Sequence, residues 1–488
     1  MSINIPSAVT IFFVFEWLVR IIALFVIPRG RKPASATAWL MLIMLFPMLG
    51  MITYILIGNP KLPKKRREMQ RTMDEIISKA LAEAMASPVL RKFIHTDVPE
   101  RIKPIASLCA GLGGMPAFSG NKIELIPEYY GSFEQIAKDI DEAKHFVHIE
   151  FFIIVLDDST EPLFKAMSLA VKRGVKIRVL FDAFGSRRYP KYRLMKQRLD
   201  EIGVAWHAML PFRAPGFGFT RLDLRNHRKI VVIDGTIGYT GSQNLVQRNY
   251  HRKDKLYYDE LMARVEGPVS LQLHGAFISD WYSESGEILS RAEHPEITFT
   301  QEAAGGTLAQ VLPSGPSYPN DNNLKLFTSL IHSAQDRIII VNPYFVPDES
   351  LMIALTSAAQ RGVETVMINS EIMDQRMVGH AQRSYYEELL HAGVKIFWYK
   401  SPILLHSKHI SIDDDIAIIG SSNLDMRSFQ LDSEITLVIY DHKVVSDLRK
   451  IENSYLAKTT PVTLPEWQKR RLHVRLLDNI ARLTAALQ

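Results

Sequence analysis

The chain has 488 residues, 23% charged and 47% apolar, with a formal net charge of +6. These values exclude a disordered, collagenous or low-complexity protein and leave room for two or three domains with sizeable cores. The positive balance suits an anionic partner, either nucleic acid or an anionic membrane surface, while the one cysteine, Cys109, excludes an intrachain disulfide framework and fits a reducing compartment.

Two apolar runs open the chain. From Ala8 to Ile27 the only charged residues are Glu16 and Arg20, four apart and able to pair on one helical face. Ala36 to Ile57 carries no charge at all. Each run is long enough to cross about 30 Å of hydrocarbon as a helix. No basic residue precedes the first, which argues against a cleaved signal peptide. Pro47 and Gly50 inside the second predict either a kinked span or a tight re-entrant hairpin. Basic residues Arg29, Arg31 and Lys32 lie between the runs, and Lys61, Lys64, Lys65, Arg66 and Arg67 follow them. Two full spans would put these clusters on opposite sides, which the positive-inside rule cannot satisfy. The larger cluster favours the remainder of the chain inside.

A charged helical linker, 61–104, comes next. Then short apolar strands alternate with amphipathic helices, the signature of an α/β sheet with covering helices. His145–Val155 reads as a buried strand, Glu161–Arg173 as a helix and Val175–Asp182 as the next strand. The order returns with Arg337–Phe345, Glu349–Gln360 and Val363–Ile368. Both helices end in Arg-Gly-Val, with glycine at the expected cap. The repeat is a duplication of one large unit, with its boundary near 295–315. The expected division is a membrane segment 1–60, the linker 61–104, a first domain 105–300 and a second domain 301–488 ending in an amphipathic helix. That helix, within Trp467–Leu487, reads equally as lying on the membrane surface or as packing on the second domain.

Within the duplication, NHRKIVVIDGTIGYTGSQN (Asn226–Asn244) parallels LHSKHISIDDDIAIIGSSN (Leu405–Asn423). The matched sets are His227, Lys229, Asp234, Gly241, Ser242, Asn244 and His406, Lys408, Asp413, Gly420, Ser421, Asn423. Residues two apart on a strand share a face, so each His projects with its Lys. Asp234-Gly235 is a hairpin signal, and the returning strand brings Ser and Asn back beside the His. Lysine charge with serine and asparagine donors makes a cradle for phosphate oxygens. Two copies offer a nucleophile and a general acid for one phosphorus. A metal site is disfavoured: protonated lysine is a poor ligand, and no His-Glu-x-x-His or cysteine cluster exists. Glu260 and Glu434 each open an apolar strand, and either could hold a catalytic histidine in its tautomer.

The paired motif resembles the HxKxxxxD…GSxN signature of the phospholipase D superfamily. With the apolar N-terminus and the stretches LMARVEGP (Leu261), PSGP (Pro313), PYFVPDE (Pro343) and SSNLDMRS (Ser421), the chain is similar to bacterial cardiolipin synthases over nearly its whole length. The resemblance implies two tandem phospholipase D-like α/β sandwich domains in a pseudo-two-fold arrangement, preceded by two transmembrane or membrane-embedded helices. It implies that two phosphatidylglycerols yield cardiolipin and glycerol, with no metal or other cofactor, through a phosphatidyl-histidine. His227 is then the nucleophile and His406 the acid/base, with the reverse left open by pseudo-symmetry. Lys229, Lys408, Ser242, Ser421, Asn244 and Asn423 hold the phosphate, Glu434 and less clearly Glu260 orient the histidines, and Asp234 and Asp413 secure their loops. The implied setting is the bacterial cytoplasmic membrane, multi-pass, with catalytic domains on the cytoplasmic side, anionic lipids as partners and no nucleic acid. Homo-oligomerisation is left open. The rival readings are a phospholipase D hydrolase, a nuclease of the superfamily, which the basic charge suits and the apolar segments do not, and a catalytically silent membrane scaffold.

Overall fold

The computed structural model describes residues 8–29, 31, 33–58, 62–86, 88–94, 98–211, 221, 223–250, 256–289, 294, 302–318 and 321–483. Lys32, Lys61, residues 295–301 of the expected boundary and residues 484–487 lie outside these. The chain divides into two compact units, Met1–Lys61 with Arg221–Asp223, and Leu62–Thr220 with Leu224–Gln488.

In the first unit, Ala8–Val26 is one 19-residue helix, long and apolar enough to cross a membrane. Its side chains are mostly exposed, Trp17 and Phe25 among them, as suits a helix whose solvent is lipid. Glu16 and Arg20 pair at 3.4 Å, and the guanidinium also donates to the Met44 carbonyl at 3.2 Å, so both charges of this apolar helix are partnered. The second apolar run takes the hairpin form of the two expected. Helix Pro33–Leu45 stops at Phe46, whose backbone leaves the helical region (φ −134°, ψ 75°), and a second helix starts at Pro47. Proline has no N–H to continue the first helix. Gly50 then lets the two helices touch: a Cβ there would lie 2.6 Å from Ile43 Cγ1. The 13-residue first arm reaches only about 20 Å at ~1.5 Å per residue, short of about 30 Å of hydrocarbon.

In the second unit, the linker is the helix Lys64–Ala86, seated on the helix Ser270–Ser285 through Gln70 Nε2 to Ser279 Oγ (2.6 Å) and the Arg66–Glu284 ion pair. Among the described residues, a 16-stranded sheet carries both copies, with fifteen strands side by side and the sixteenth, Arg225–Asn226, paired with Asp432–Tyr440. From the centre outwards, the first copy contributes Phe118–Ile126, Met262–Glu266, Ile237–Gly241, Ile230–Ile233, Phe146–Phe151, Lys176–Asp182 and Ala205–Met209. The second contributes Thr307–Ser314, Asp432–Tyr440, Ile416–Gly420, His409–Ile412, Arg337–Val341, Glu364–Ser370 and Lys395–Tyr399 in the same order, then Thr459–Val462 at the edge. The copies join by antiparallel pairing of Phe118 with Ala309 and Asn121 with Thr307.

The expected strand–helix–strand units form. Glu161–Lys172 and Glu349–Gln360 are helices, and Gly174 (φ 94°) and Gly362 (φ 91°) follow their ends in the left-handed region. The expected strand Arg337–Phe345 is split into Arg337–Val341 and Phe345–Val346, because Pro343 cannot donate to a ladder. Central strands such as Phe146–Phe151 and Ile416–Gly420 are buried at every position, as helices on both faces require. One core cluster runs across the copy boundary, joining Val232, Leu261, Val265 and Phe277 to Val311, Ile419, Leu437 and Leu448. At about 1.5–3 kcal/mol for each large apolar side chain removed from water, this shared core and the continuous sheet hold the two copies in fixed relation.

Candidate active site

Each His-x-Lys segment lies just ahead of its strand. Lys229 precedes Ile230–Ile233 and Lys408 precedes His409–Ile412. Asp234 and Gly235 (φ 51° and 69°) make the expected tight turn. The following strand returns antiparallel, opposing Thr240 to Ile230. In both motifs the returning glycine allows a close approach to the next strand: a Cβ on Gly241 would lie 2.3 Å from the Leu261 carbonyl oxygen, and on Gly420 2.4 Å from that of Ile435.

The segments ahead of the histidines cross to the opposite copy. Arg225–Asn226 runs parallel to Asp432–Ser433, and the His227 N–H donates to the Ser433 carbonyl at 2.8 Å. Ile403–Leu405 runs parallel to Tyr257–Asp259, and the His406 N–H donates to the Asp259 carbonyl at 2.7 Å. This register sets His227 beside Glu434 and His406 beside Glu260. His227 Nδ1 lies 3.0 and 3.1 Å from the Glu434 carboxylate oxygens, and His406 Nδ1 lies 2.7 Å from Glu260 Oε1. Each histidine is therefore held by a carboxylate from the other copy.

Both carboxylates are buried, but their surroundings differ. Glu434 also accepts from Ser428 Oγ at 2.9 Å and from Ser421 Oγ, whereas Glu260 Oε2 has no hydrogen-bond partner among the described residues. Burial alone would raise the Glu434 carboxyl, but His227, Lys229 and Ser421 bring it down to about 2. Burial pulls the His227 imidazole down to about 4 against the upward pull of Glu434, and the charges of Lys229 and Lys408 add to the fall. His406 is likewise lowered by burial, with Glu260 opposing. At neutral pH His227 is a neutral imidazole facing a carboxylate. The proton sits on Nδ1, and Nε2 keeps its lone pair.

The lysines are held back against their own motifs. Lys229 Nζ donates to the His227 carbonyl at 2.5 Å and Lys408 Nζ to that of His406 at 2.8 Å. Burial lowers Lys229 to about 7 and Lys408 to about 8, with Glu434 and Glu260 opposing in both. Each lysine feels both carboxylates and so belongs to one electrostatic cluster.

The other expected residues are placed as follows. The Ser242 hydroxyl accepts from the Leu261 N–H at 3.0 Å and Ser421 Oγ accepts from the Ile435 N–H at 3.0 Å, so each serine braces the residue that follows a carboxylate. Asn244 Oδ1 accepts from the Ile153 N–H at 3.3 Å, while Asn423 Oδ1 is buried with no partner among the described residues. Asp234 accepts from the backbone N–H groups of Lys144, His145 and Phe146 at 2.8–2.9 Å. Asp413 accepts from those of Gln335, Asp336 and Arg337 at 2.7–3.0 Å. These two carboxylates pin the entry to a central strand and are not among the groups around the histidines.

Several neighbours carried no sequence signal of their own. Arg228, buried between the copies, donates Nε to the Glu434 carbonyl at 3.0 Å and pairs with Asp280. Asn226 Nδ2 donates to Glu150 at 2.7 Å. Ser428 lies inside the conspicuous SSNLDMRS stretch, but nothing in that string gave it a carboxylate to hold. The walls also differ: Phe152 sits edge-on to His227 at 5.2 Å, whereas Tyr258 and Tyr344 flank His406 at 5.5 and 6.0 Å. Among the described residues no group of three or more His, Cys, Asp and Glu is arranged to hold a metal ion.

Comparison with known proteins agrees with this architecture. The family described as cardiolipin synthase, PLD-like domain, matches residues 136–281 and 327–455, and the phospholipase D-nuclease N-terminal family matches 18–59. Cardiolipin synthase A of Proteus mirabilis (strain HI4320) is 35% identical over 96% of both chains. That of Serratia proteamaculans (strain 568) is 33% identical over 94% of both. The crystal structure of phosphatidylserine synthase from Haemophilus influenzae Rd KW20 superposes with a TM-score of 0.57 at 16% identity, covering 80% of this chain and 99% of that one, and so shares the fold. The whole-length relatives and the twice-matched domain show that this chain belongs to the cardiolipin synthase family of phospholipase D-like proteins.

Proposed function

We propose that the protein is a membrane-associated phosphatidyltransferase that makes cardiolipin and glycerol from two phosphatidylglycerols. The observation that carries this reading is the pair of buried His–carboxylate dyads with two lysines in one cluster, in a chain with an apolar N-terminal helix. His227 Nε2 attacks the phosphorus of the first lipid, and the P–O bond to its headgroup glycerol breaks. In the fraction of molecules whose His406 is protonated, a form that Glu260 supports against burial, His406 gives that proton to the departing glycerol oxygen. The phosphatidyl group is now on His227 Nε2, and Glu434 balances the charge on the ring. His406 then takes the proton from a headgroup hydroxyl of the second lipid. That oxygen attacks the phosphorus, the P–N bond breaks, and cardiolipin leaves with both histidines restored. Lys229, Lys408, Asn244 and Asn423 hold the non-bridging oxygens. Ser242 and Ser421 act through the carboxylate strands, and Asp234 and Asp413 through the loops they pin.

In the membrane, Ala8–Val26 spans and the Pro33–Gly58 hairpin enters and leaves on one side. Arg29 and Arg31, and Lys64 to Arg67, then lie on the same face, which the positive-inside rule makes cytoplasmic. Product analysis tests the function: in vesicles of phosphatidylglycerol alone, cardiolipin and glycerol are expected in equal amounts. Phosphatidic acid alone would make water the acceptor and the protein a hydrolase.

A further inference from the structure

The C-terminal helix Leu472–Leu483 is docked the opposite way round from an ordinary surface helix, which buries its apolar stripe and exposes its polar one. Its inward side is polar. Asp478 is buried and receives His380 Nδ1 and Arg470 Nη1, each at 2.7 Å. Ala481 packs beside it, Arg475 pairs with Glu387 at 3.2 Å, and the Arg482 guanidinium lies over the Tyr385 ring at 4.3 Å. The outward side carries Leu472, Leu476, Ile480 and Leu483 at i, i+4, i+8 and i+11, 81, 58, 48 and 83% exposed, with Leu477 next to them at 51%. A contiguous apolar stripe held outward by ion pairs marks a surface that meets something.

We propose that this stripe is a second membrane contact, seated in the headgroup region of an anionic bilayer. Charge selects the occupant. Lys469 and Arg471 are exposed at the start of the helix, and the one acidic residue of the Lys469–Leu483 stretch, Asp478, is turned inward and paired. A second copy on this face would bring like charges together. An anionic lipid surface meets both the cations and the leucines, which is how interfacial helices bind. The inward ion pairs fix the helix to the second copy, so the contact sets the position of that copy against the surface in addition to tethering the chain.

The test uses the full chain in nanodiscs of phosphatidylglycerol and phosphatidylethanolamine. Cys109 is buried, so a nitroxide can be placed singly at Leu476→Cys or Ile480→Cys, with Lys165→Cys on an exposed helix as reference. The expected result is contact with dissolved oxygen and protection from a water-soluble nickel chelate at 476 and 480, with the reverse at 165. Chelate access at 476 equal to that at 165 overturns the proposal, as does dipolar coupling between labels of two copies, which would make the occupant a second chain. Independently, Leu476→Glu with Ile480→Glu is expected to lower the ratio of turnover on phosphatidylglycerol bilayers to turnover on dispersed short-chain lipid by about tenfold or more. An unchanged ratio overturns it. Absence of turnover on both substrates in the parent protein would instead count against the proposed function, and the nitroxide result would stand by itself.

Discussion

Glu434→Gln isolates the charge of the His227 dyad with little change of shape. Glu434 is buried and accepts from His227, Ser428 and Ser421. A hydrogen bond to a buried charged partner is worth about 1.5–3 kcal/mol; at about 1.36 kcal/mol per decade this is ten- to 150-fold in rate. The amide adds a second effect. With its NH2 turned toward Nδ1 it makes that nitrogen an acceptor and moves the ring proton to Nε2, the atom that must attack. Removing the carboxylate charge behind a catalytic histidine costs about 10⁴-fold where the tautomer is lost. The expected fall in the rate of phosphatidyl transfer therefore lies between about tenfold, if the tautomer is kept, and about 10⁴-fold, if it is lost, with lipid binding and melting temperature close to the parent's. Ser428→Ala removes one neutral brace and leaves the charge, so its expected cost is below about tenfold. The assay is single-turnover formation of cardiolipin from isotopically labelled phosphatidylglycerol, quenched and read by mass spectrometry. A Glu434→Gln rate equal to the parent's, in a protein that binds lipid and melts normally, would refute the dyad.

Three further outcomes follow from the same geometry. Glu260→Gln acts on His406, so it is expected to slow both proton transfers and to let the covalent intermediate persist; intermediate that vanishes as fast as in the parent counts against the acid/base assignment. Burial has lowered Lys229 to about 7 and Lys408 to about 8, so their charges are present below those values and lost as pH rises through them. The kcat/KM for phosphatidylglycerol, already falling as His406 loses its proton, is expected to steepen between pH 7 and 8, and Lys229→Arg, which stays charged, to remove that added steepness even at a lower absolute rate; a steepening unmoved by the substitution would exclude Lys229 as its source. Asp413→Ala strips three backbone N–H groups of their acceptor and is expected to cost about 3 kcal/mol of stability, visible in denaturant unfolding of the full chain, whereas a loss of turnover without a loss of stability would place Asp413 in the chemistry.

The duplication was legible because it is written in local terms. His, Lys, Asp, Gly, Ser and Asn stand at identical offsets in two places, and glycine closes both covering helices. The turn at Asp234-Gly235 was equally local. The partner of each histidine was not legible. Glu260 and His406 lie 146 residues apart and meet through the parallel register of 257–259 against 403–405, which no spacing within one motif encodes. Arg228 is hidden for a related reason: its counterpart in the second motif is Ser407, so the repeat that marks the histidines does not mark it. The second apolar run was ambiguous because composition alone does not distinguish a span from a hairpin, and the bend at Phe46-Pro47 together with the contact at Gly50 decides it.

The asymmetry between the dyads bears on the order of events. Glu434 is held by two serine hydroxyls and its histidine, His227, faces the apolar Phe152 ring, while Glu260 has an oxygen with no hydrogen-bond partner among the described residues and its histidine, His406, lies against two tyrosines. A firmly fixed carboxylate suits the histidine that must carry a covalent group, and a polar wall suits the one that handles hydroxyl protons.

The proposed path carries the phosphatidyl group on His227, and rapid quenching tests that directly. The full chain in bilayers of headgroup-unlabelled, phosphorus-labelled phosphatidylglycerol would be stopped within one turnover, digested and mapped. Label is expected on the peptide containing His227, absent from His227→Ala and longer-lived in Glu260→Gln. Label on His406 would reverse the two roles, and cardiolipin formed at full rate with no labelled histidine would contradict the covalent path altogether.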